Sequence, residues 1–217
     1  MRILGFTDIH GVRHRIVEFL QKEPDIDLVL IAGDLTTNGT ARDAESLLDH
    51  FGQKEPAVYA VSGNMDPLPV EDVLERHRVA LNAQGTMHGP LGLFGLSGAP
   101  LSPLHTPNEV TEEELAARLE RGWDAVKAAA RTILVSHPPP AGTRVDALAN
   151  GKHVGSTAVR DFCLAHGPDV VLCGHIHEAR GIDHLGRTIV VNPGPAQSGS
   201  YCIITVDQTI EVDLRSL

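Results

Sequence analysis

The chain has 217 residues, 42 % apolar and 21 % charged, which is enough to bury a core without disulfides and excludes a disordered or fibrous polymer. Eighteen Lys and Arg against 28 Asp and Glu leave a net charge of −10, which argues against broad contact with nucleic-acid backbones or anionic membranes. Two Tyr, one Trp and five Phe are too few for a platform that stacks single-stranded bases.

In chain order, residues 3–6 form an apolar run that reads as a strand buried on both faces, and Val12, Ile16, Phe19 and Leu20 then share a helical face. Residues 28–31 repeat the strand pattern, Ala44, Leu47, Leu48 and Phe51 the helical one, and residues 57–61 the strand again. Residues 86–96 hold a Gly-Pro pair between short apolar stretches and read as a hairpin, followed by a long loop over 98–108. Thr111 with Glu114 has the spacing of a capping box and opens a helix whose apolar face is Leu115, Leu119, Trp123, Val126 and Ala130. A strand over 133–135, a second long loop over 138–156, a helix over 157–166 and a strand over 170–172 follow. Residues 182–191 turn at Leu185-Gly186-Arg187, and 201–206 with 209–214 close the chain as antiparallel strands around Asp207-Gln208. Strand alternating with helix predicts an α/β fold with a largely parallel sheet, joined by a second, more antiparallel one, in a single domain over 1–217. Cys163, Cys173 and Cys202 contain no C-x-x-C pair, the start reads as a strand, and no apolar run reaches about 18 residues. A soluble cytoplasmic protein with small buried cysteines is therefore expected.

Each buried strand pattern runs into residues that can hold a cation. They are Asp8-Ile9-His10, Gly33-Asp34, Gly63-Asn64-Met65-Asp66, Ser136-His137 and Gly174-His175-Ile176-His177. In open α/β sheets, ligands bind beyond the carboxyl ends of the strands, so five such turns can converge on one pocket. Asp8 and His10, like His175 and His177, stand two apart, which in extended chain sends both side chains the same way. Taken singly, each is an ordinary turn residue, helix cap or structural histidine. Taken together, carboxylates, imidazoles and one amide oxygen suit Mn, Fe, Zn or Co better than Ca or Mg.

As a set, Asp8-x-His10, Gly33-Asp34, Gly63-Asn64-x-Asp66, His137 and Gly174-His175-x-His177 resemble the signature of the calcineurin-like metallophosphoesterases. Within that superfamily the chain is similar to small phosphoesterases related to bacterial cyclic-nucleotide phosphodiesterases, a likeness to which Gly151-Lys152-His153-Val154-Gly155-Ser156 and Asn192-Pro193-Gly194 add. The resemblance implies a four-layer α/β/β/α metallophosphoesterase fold, with two mixed sheets face to face and helices outside. It implies one divalent cation on Asp8, His10 and His177, a second on Asn64, His137 and His175, and Asp34 between them, with Mn favoured over Fe and Zn. The implied reaction is in-line attack on a small phosphate ester, a diester before a monoester, by a hydroxide held between two cations. Asp34, Asn64 and Asp66 would then be catalytic, and Asn64 would also touch substrate.

One position departs from the pattern. Most of the family carries His after the metal-binding Asn, as proton donor to the leaving group, with the next Asp orienting it. Here Met65 stands there, and a thioether carries no proton. Asp66 therefore lacks its partner, and either the leaving groups are acidic or another residue donates. His153 is the first candidate for that role and for substrate contact, and His105 the second, both on the long loops. The alternative is a metallophosphoesterase-like scaffold that binds a protein partner. The oligomeric state stays open, a homodimer included.

Overall fold

The computed structural model describes residues 1–51 and 56–217. Its first half contains β1 (Arg2–Phe6), α1 (His14–Lys22), β2 (Leu28–Ala32), α2 (Ala41–Leu48), β3 (Ala57–Val61), α3 (Leu68–Arg76), β4 (Gly85–His88) and β5 (Leu91–Leu96). Then follow β6 (Ala99–Pro100), β7 (Glu109–Val110), α4 (Glu112–Asp124), β8 (Arg131–Ser136), α5 (Thr157–His166) and β9 (Val170–Leu172). The chain closes with β10 (Gly181–Leu185), β11 (Thr188–Asn192), β12 (Ser200–Val206) and β13 (Ile210–Ser216).

One sheet has the order β13-β12-β1-β2-β3, the other β10-β11-β9-β8-β5-β4. In the first, β1, β2 and β3 are parallel and β12 and β13 are antiparallel additions. In the second, β11, β9, β8 and β5 are parallel, with antiparallel β10 and β4 at the edges. A third, two-stranded piece pairs β6 with β7 in parallel.

Side-chain alternation sets the layers. Along β2, Val29 and Ile31 face one way, into an apolar layer with Ile16 and Phe19 of α1, Leu47 of α2 and Val73 of α3. Leu28, Leu30 and Ala32 face the other way, against Leu93, Ile133, Val135 and Leu172 of the second sheet. Beyond that sheet, Phe94, Leu134 and Val171 pack on Leu115 and Leu119 of α4 and Phe162 of α5. Three apolar layers thus separate four structural ones, which is the α/β/β/α sandwich, and strands buried on both faces explain the continuous apolar runs.

Several boundaries differ from the sequence pattern. Val12 precedes α1, and Phe51 sits on a 3-10 turn after α2. Helix α4 stops at Asp124, so Val126 and Ala130 lie outside it, although Val126 is still buried. Its cap is half a box: Thr111 accepts from the Glu114 amide, but the Glu114 carboxylate pairs with Arg118 and Arg121 instead. Helix α3 has no counterpart in the sequence pattern, where Pro67 and Pro69 break the periodicity. Both prolines sit at its start, where no amide donor is needed. Among the described residues no helix is long and apolar enough to cross a membrane.

Candidate metal centre

The turns after β1, β2 and β3 of one sheet and after β8 and β9 of the other meet at one edge of the sandwich. Backbone bonds tie them together: Asp8 N donates to Gly33 O, His10 N to Asp34 O and Gly174 N to His137 O, each at 3.0 Å. Four residues of the cluster, Asp8, His10, Asp34 and His175, hold φ between 49° and 68°. Each such left-handed residue costs about 1–3 kcal/mol, and such strain concentrates where function fixes a side chain.

The seven side chains converge. His177 Nε2 lies 3.2 Å from Asp8 Oδ1 and 3.3 Å from His10 Nε2. His10 Nε2 lies 3.7 Å from Asp34 Oδ2, and His137 Nε2 3.5 Å from Asp34 Oδ1. Asn64 Oδ1 is 2.8 Å from both His137 Nε2 and His175 Nδ1. Asp8, His10 and His177 each offer a ligand atom within 4.8 Å of the others, as do Asp8, Asp34 and His137.

The hydrogen bonds around the cluster settle which way its lone pairs point. His137 Nδ1 donates to Ala32 O at 2.8 Å, so Nε2 turns a lone pair inward. Thr106 Oγ1 gives its proton to Glu109 at 2.7 Å and accepts Asn64 Nδ2 at 3.0 Å, so the Asn64 amide is oriented with Oδ1 inward. His10 Nδ1 is held by the Thr37 hydroxyl at 2.8 Å, leaving Nε2 to the cluster. The lone pair on His137 Nε2 and the Asn64 amide oxygen therefore face one another at 2.8 Å. Two buried carboxylates stand beside them, with Asp8 1 % and Asp34 2 % exposed. Such a donor set fits cations and little else.

Protonation in the free cluster follows the same logic. Burial pushes Asp34 up to about 7; His137 opposes this, and the charges of Asp8 and Asp66 add to it. Burial pulls Asp8 upward too, but the hydrogen bond from His177 and the charges of His137 and His177 outweigh it and hold Asp8 below the usual range. Burial, reinforced by His137, takes His175 down to about 3, and burial lowers His10 against the attraction of Asp8. His177 is raised by its hydrogen bond to Asp8 despite its burial.

Asp34 gives a signed expectation. Between its ordinary 3.8 and about 7, the folded protein holds a proton that the unfolded chain has released, so metal-free stability falls as pH rises across that window. A cation must displace that proton, so its stabilising effect grows with pH. At pH 8, Mn²⁺ at a hundred times its Kd adds about 2.7 kcal/mol, or roughly 5–11 °C in Tm, over chelated protein. Calorimetry checks this, with a smaller gain expected at about pH 5.5; no gain at either pH contradicts a cation site.

Two expected site residues stand outside the converging seven. Asp66 is fully buried, and its carboxylate accepts Leu35 N, Gly63 N, Thr36 N and Thr36 Oγ1 at 2.8–3.0 Å. It clamps the turn after β2 to the turn after β3. His105 is exposed on its turn, outside the cleft lining, and its neighbour Thr106 makes the contact to Asn64. His153, by contrast, lines a cleft of about 600 Å³ together with Asn64, His175 and His177. Its Nδ1 donates to Asp146 at 2.6 Å. Cys173 packs within its strand end and bonds Val191 O, and the three cysteines are free and buried. Sequence spacing carried no signal for Thr37, Thr106, Glu109 or Asp146, which reach the site only through the folded loops.

A protein-family model described as calcineurin-like phosphoesterase matches residues 1–179. An uncharacterised protein of Methanocaldococcus jannaschii, MJ1162, is 34 % identical over 201 residues, covering 90 % of this chain and 88 % of that one. Among solved structures, TT1561 of Thermus thermophilus superposes with a TM-score of 0.74 at 21 % identity over 98 % of this chain and 97 % of that one. A dimetal phosphatase from Danio rerio superposes with a TM-score of 0.70 at 13 % identity over 100 % and 96 %. These two likenesses show the shared fold. With the family model spanning most of its length and the archaeal relative nearly all of it, the chain belongs to the calcineurin-like phosphoesterases.

Proposed function

We propose that this phosphoester hydrolase is a dinuclear metal enzyme acting on small phosphodiesters in the cytoplasm, with residues 1–217 as one domain. The observation that carries the reading is the inward turn of the Asn64, His137 and Asp34 acceptors beside Asp8, next to a cleft that Asn64, His175 and His177 line. Asp8, His10 and His177 would hold one cation, Asn64, His137 and His175 the second, and Asp34 both. Mn, Fe or Zn accept such nitrogen and oxygen ligands, and Mn suits the carboxylates best. When bound, a cation pair supplies Lewis-acid charge for the phosphate oxygens and makes water a nucleophile at neutral pH.

The chain's own residues do the rest. Thr106 and Glu109 keep the Asn64 amide oxygen aimed inward, and His137 is fixed by Ala32 O. Lys152 at the cleft wall attracts an anionic ester into an otherwise acidic protein. Leu101 and Leu104, 65 % and 80 % exposed, face the cleft with Leu148 and Val154 and offer an apolar wall for an organic arm of the substrate.

The test pairs metal analysis of protein purified without chelator with Mn-supplemented hydrolysis of bis(p-nitrophenyl) phosphate and p-nitrophenyl phosphate. The expected result is two cations per chain and a higher kcat/KM for the diester. A preference for the monoester overturns the diester assignment. Two cations with no turnover of either ester replace the enzyme by a scaffold that binds a protein partner.

A further inference from the structure

Position 65 leaves the enzyme without its family's proton donor, and Asp66, which would have oriented that donor, is committed to backbone amides. We propose that His153 and Asp146 form a replacement pair, in which Asp146 positions His153 to protonate the leaving group. This rests on the phosphoesterase reading of the neighbouring cluster.

Asp146 is fully buried and fixed without any help from His153. Its Oδ1 accepts the Thr143 amide at 2.9 Å, and its Oδ2 accepts the Gly142 and Gly155 amides at 3.1 and 3.0 Å. The remaining position on Oδ1 takes His153 Nδ1 at 2.6 Å. The His153 backbone is held as well. It bridges to Ala147, while Leu148 N donates to Lys152 O at 2.9 Å and Val154 N to Asp146 O at 3.1 Å. Pinned at both ends, the imidazole is 49 % exposed and lines the cleft that contains Asn64, His175 and His177. Its Nε2 has no partner among the described residues. A merely structural histidine looks different: His166 has Nε2 on Glu120 at 2.9 Å and its ring against Phe162 and Trp123.

The proton balance is simple. The bond from phosphorus to the leaving oxygen breaks with its electron pair on that oxygen, which takes the proton from His153 Nε2. Nδ1 keeps its proton, donated to Asp146 Oδ1. Water supplies the new oxygen on phosphorus, and one of its protons recharges the imidazole. The other titratable groups sharing the cleft are Lys152, Glu109, Glu178, His175 and His177.

Two measurements test the pair. In metal-free protein, nitrogen-detected NMR of the neutral His153 ring is expected to find its proton on Nδ1 in the wild type, held there by Asp146, and to find that preference weakened in Asp146→Asn. In Mn-loaded protein, His153→Gln is expected to lose a few-fold on a methyl p-nitrophenyl diester and about 10²-fold or more on a dialkyl diester. Asp146→Asn is expected to show the same leaving-group bias in weaker form, which a loop-packing role alone does not produce. If Asp146→Asn does not fold, the half-exposed His153→Gln decides alone. An equal loss across leaving groups, or a His153 tautomer indifferent to Asp146, overturns the pair while leaving the hydrolase standing. A wild type that turns over no ester overturns both.

Discussion

Asp34→Asn is expected to lower kcat for phosphoester hydrolysis by about 10³-fold or more, equivalent to roughly 4 kcal/mol of transition-state stabilisation. Asp34 is the member of the cluster that reaches both halves: its Oδ2 lies 3.7 Å from His10 Nε2 and its Oδ1 3.5 Å from His137 Nε2. An amide of the same shape removes one negative charge and turns one ligand oxygen into a donor that repels cations. Metal analysis should then find fewer than two cations per chain. Stability should move the opposite way. Burial and the neighbouring carboxylates push Asp34 up to about 7, so at pH 8 the metal-free wild type carries an ion that it would rather protonate. Removing that charge leaves the chelated variant at least as stable as the chelated wild type, the usual mark of a side chain kept for function. A chelated variant that melts several degrees lower would make Asp34 a structural residue. Its Oδ1 does accept the Met65 amide at 2.9 Å, but an amide oxygen serves that bond equally well.

The sandwich was legible because its strands are buried twice over. Leu28, Val29, Leu30 and Ile31 leave no polar face to disguise, and the residues that follow each such run stand out against them. The cluster was legible for the same reason: a strand end fixes where the next two or three side chains go. What stayed hidden depends on loops folding back. Glu109 organises residues 102–106 by accepting Ser102 and Thr106 amides and hydroxyls, and these bonds hold it down to about 2 although burial pulls it up. Nothing in the order Ser102, Thr106, Glu109 announces that Thr106 will set the Asn64 amide. His153 stood ahead of His105 as a candidate, but only by position on the long loops. Only the folded chain separates them, because a buried carboxylate waits beside one and open solvent surrounds the other. Asp66 gives its carboxylate to backbone amides, which its spacing did not announce. Its place in the motif matches the family, but the partner that gave the place its meaning is replaced by Met65.

Gly63→Ala tests the wall of the cluster from the backbone side, and its effect should approach that of Asp34→Asn. A Cβ at Gly63 would overlap the Asp34 carboxylate oxygen and amide nitrogen and lie 2.7 Å from Asp34 Cγ. The methyl group cannot be accommodated by a side-chain rotation alone, since a backbone atom is among those it strikes. The Gly63 backbone cannot yield readily either. Its N–H donates to Asp66 Oδ2 at 2.9 Å, and its carbonyl accepts Asn108 Nδ2 at 3.1 Å. The strain must then be relieved by moving Asp34, Asn64 or both away from the position where their oxygens converge. Overpacking of this kind costs about 1–3 kcal/mol of stability. A displaced ligand costs more than a displaced supporting group, for which losses of about 10–100-fold in metal affinity are typical. Mn²⁺ titration of the folded variant should therefore show binding weakened by at least that factor, with hydrolysis falling in parallel. Gly181→Ala is the control: the nearest atom to its added Cβ is 3.8 Å away, and both properties should stay near wild type. If Gly63→Ala takes up two cations as tightly as Gly181→Ala does, Asp34 and Asn64 tolerate displacement, and the close fit between the two turns is not what holds metal there.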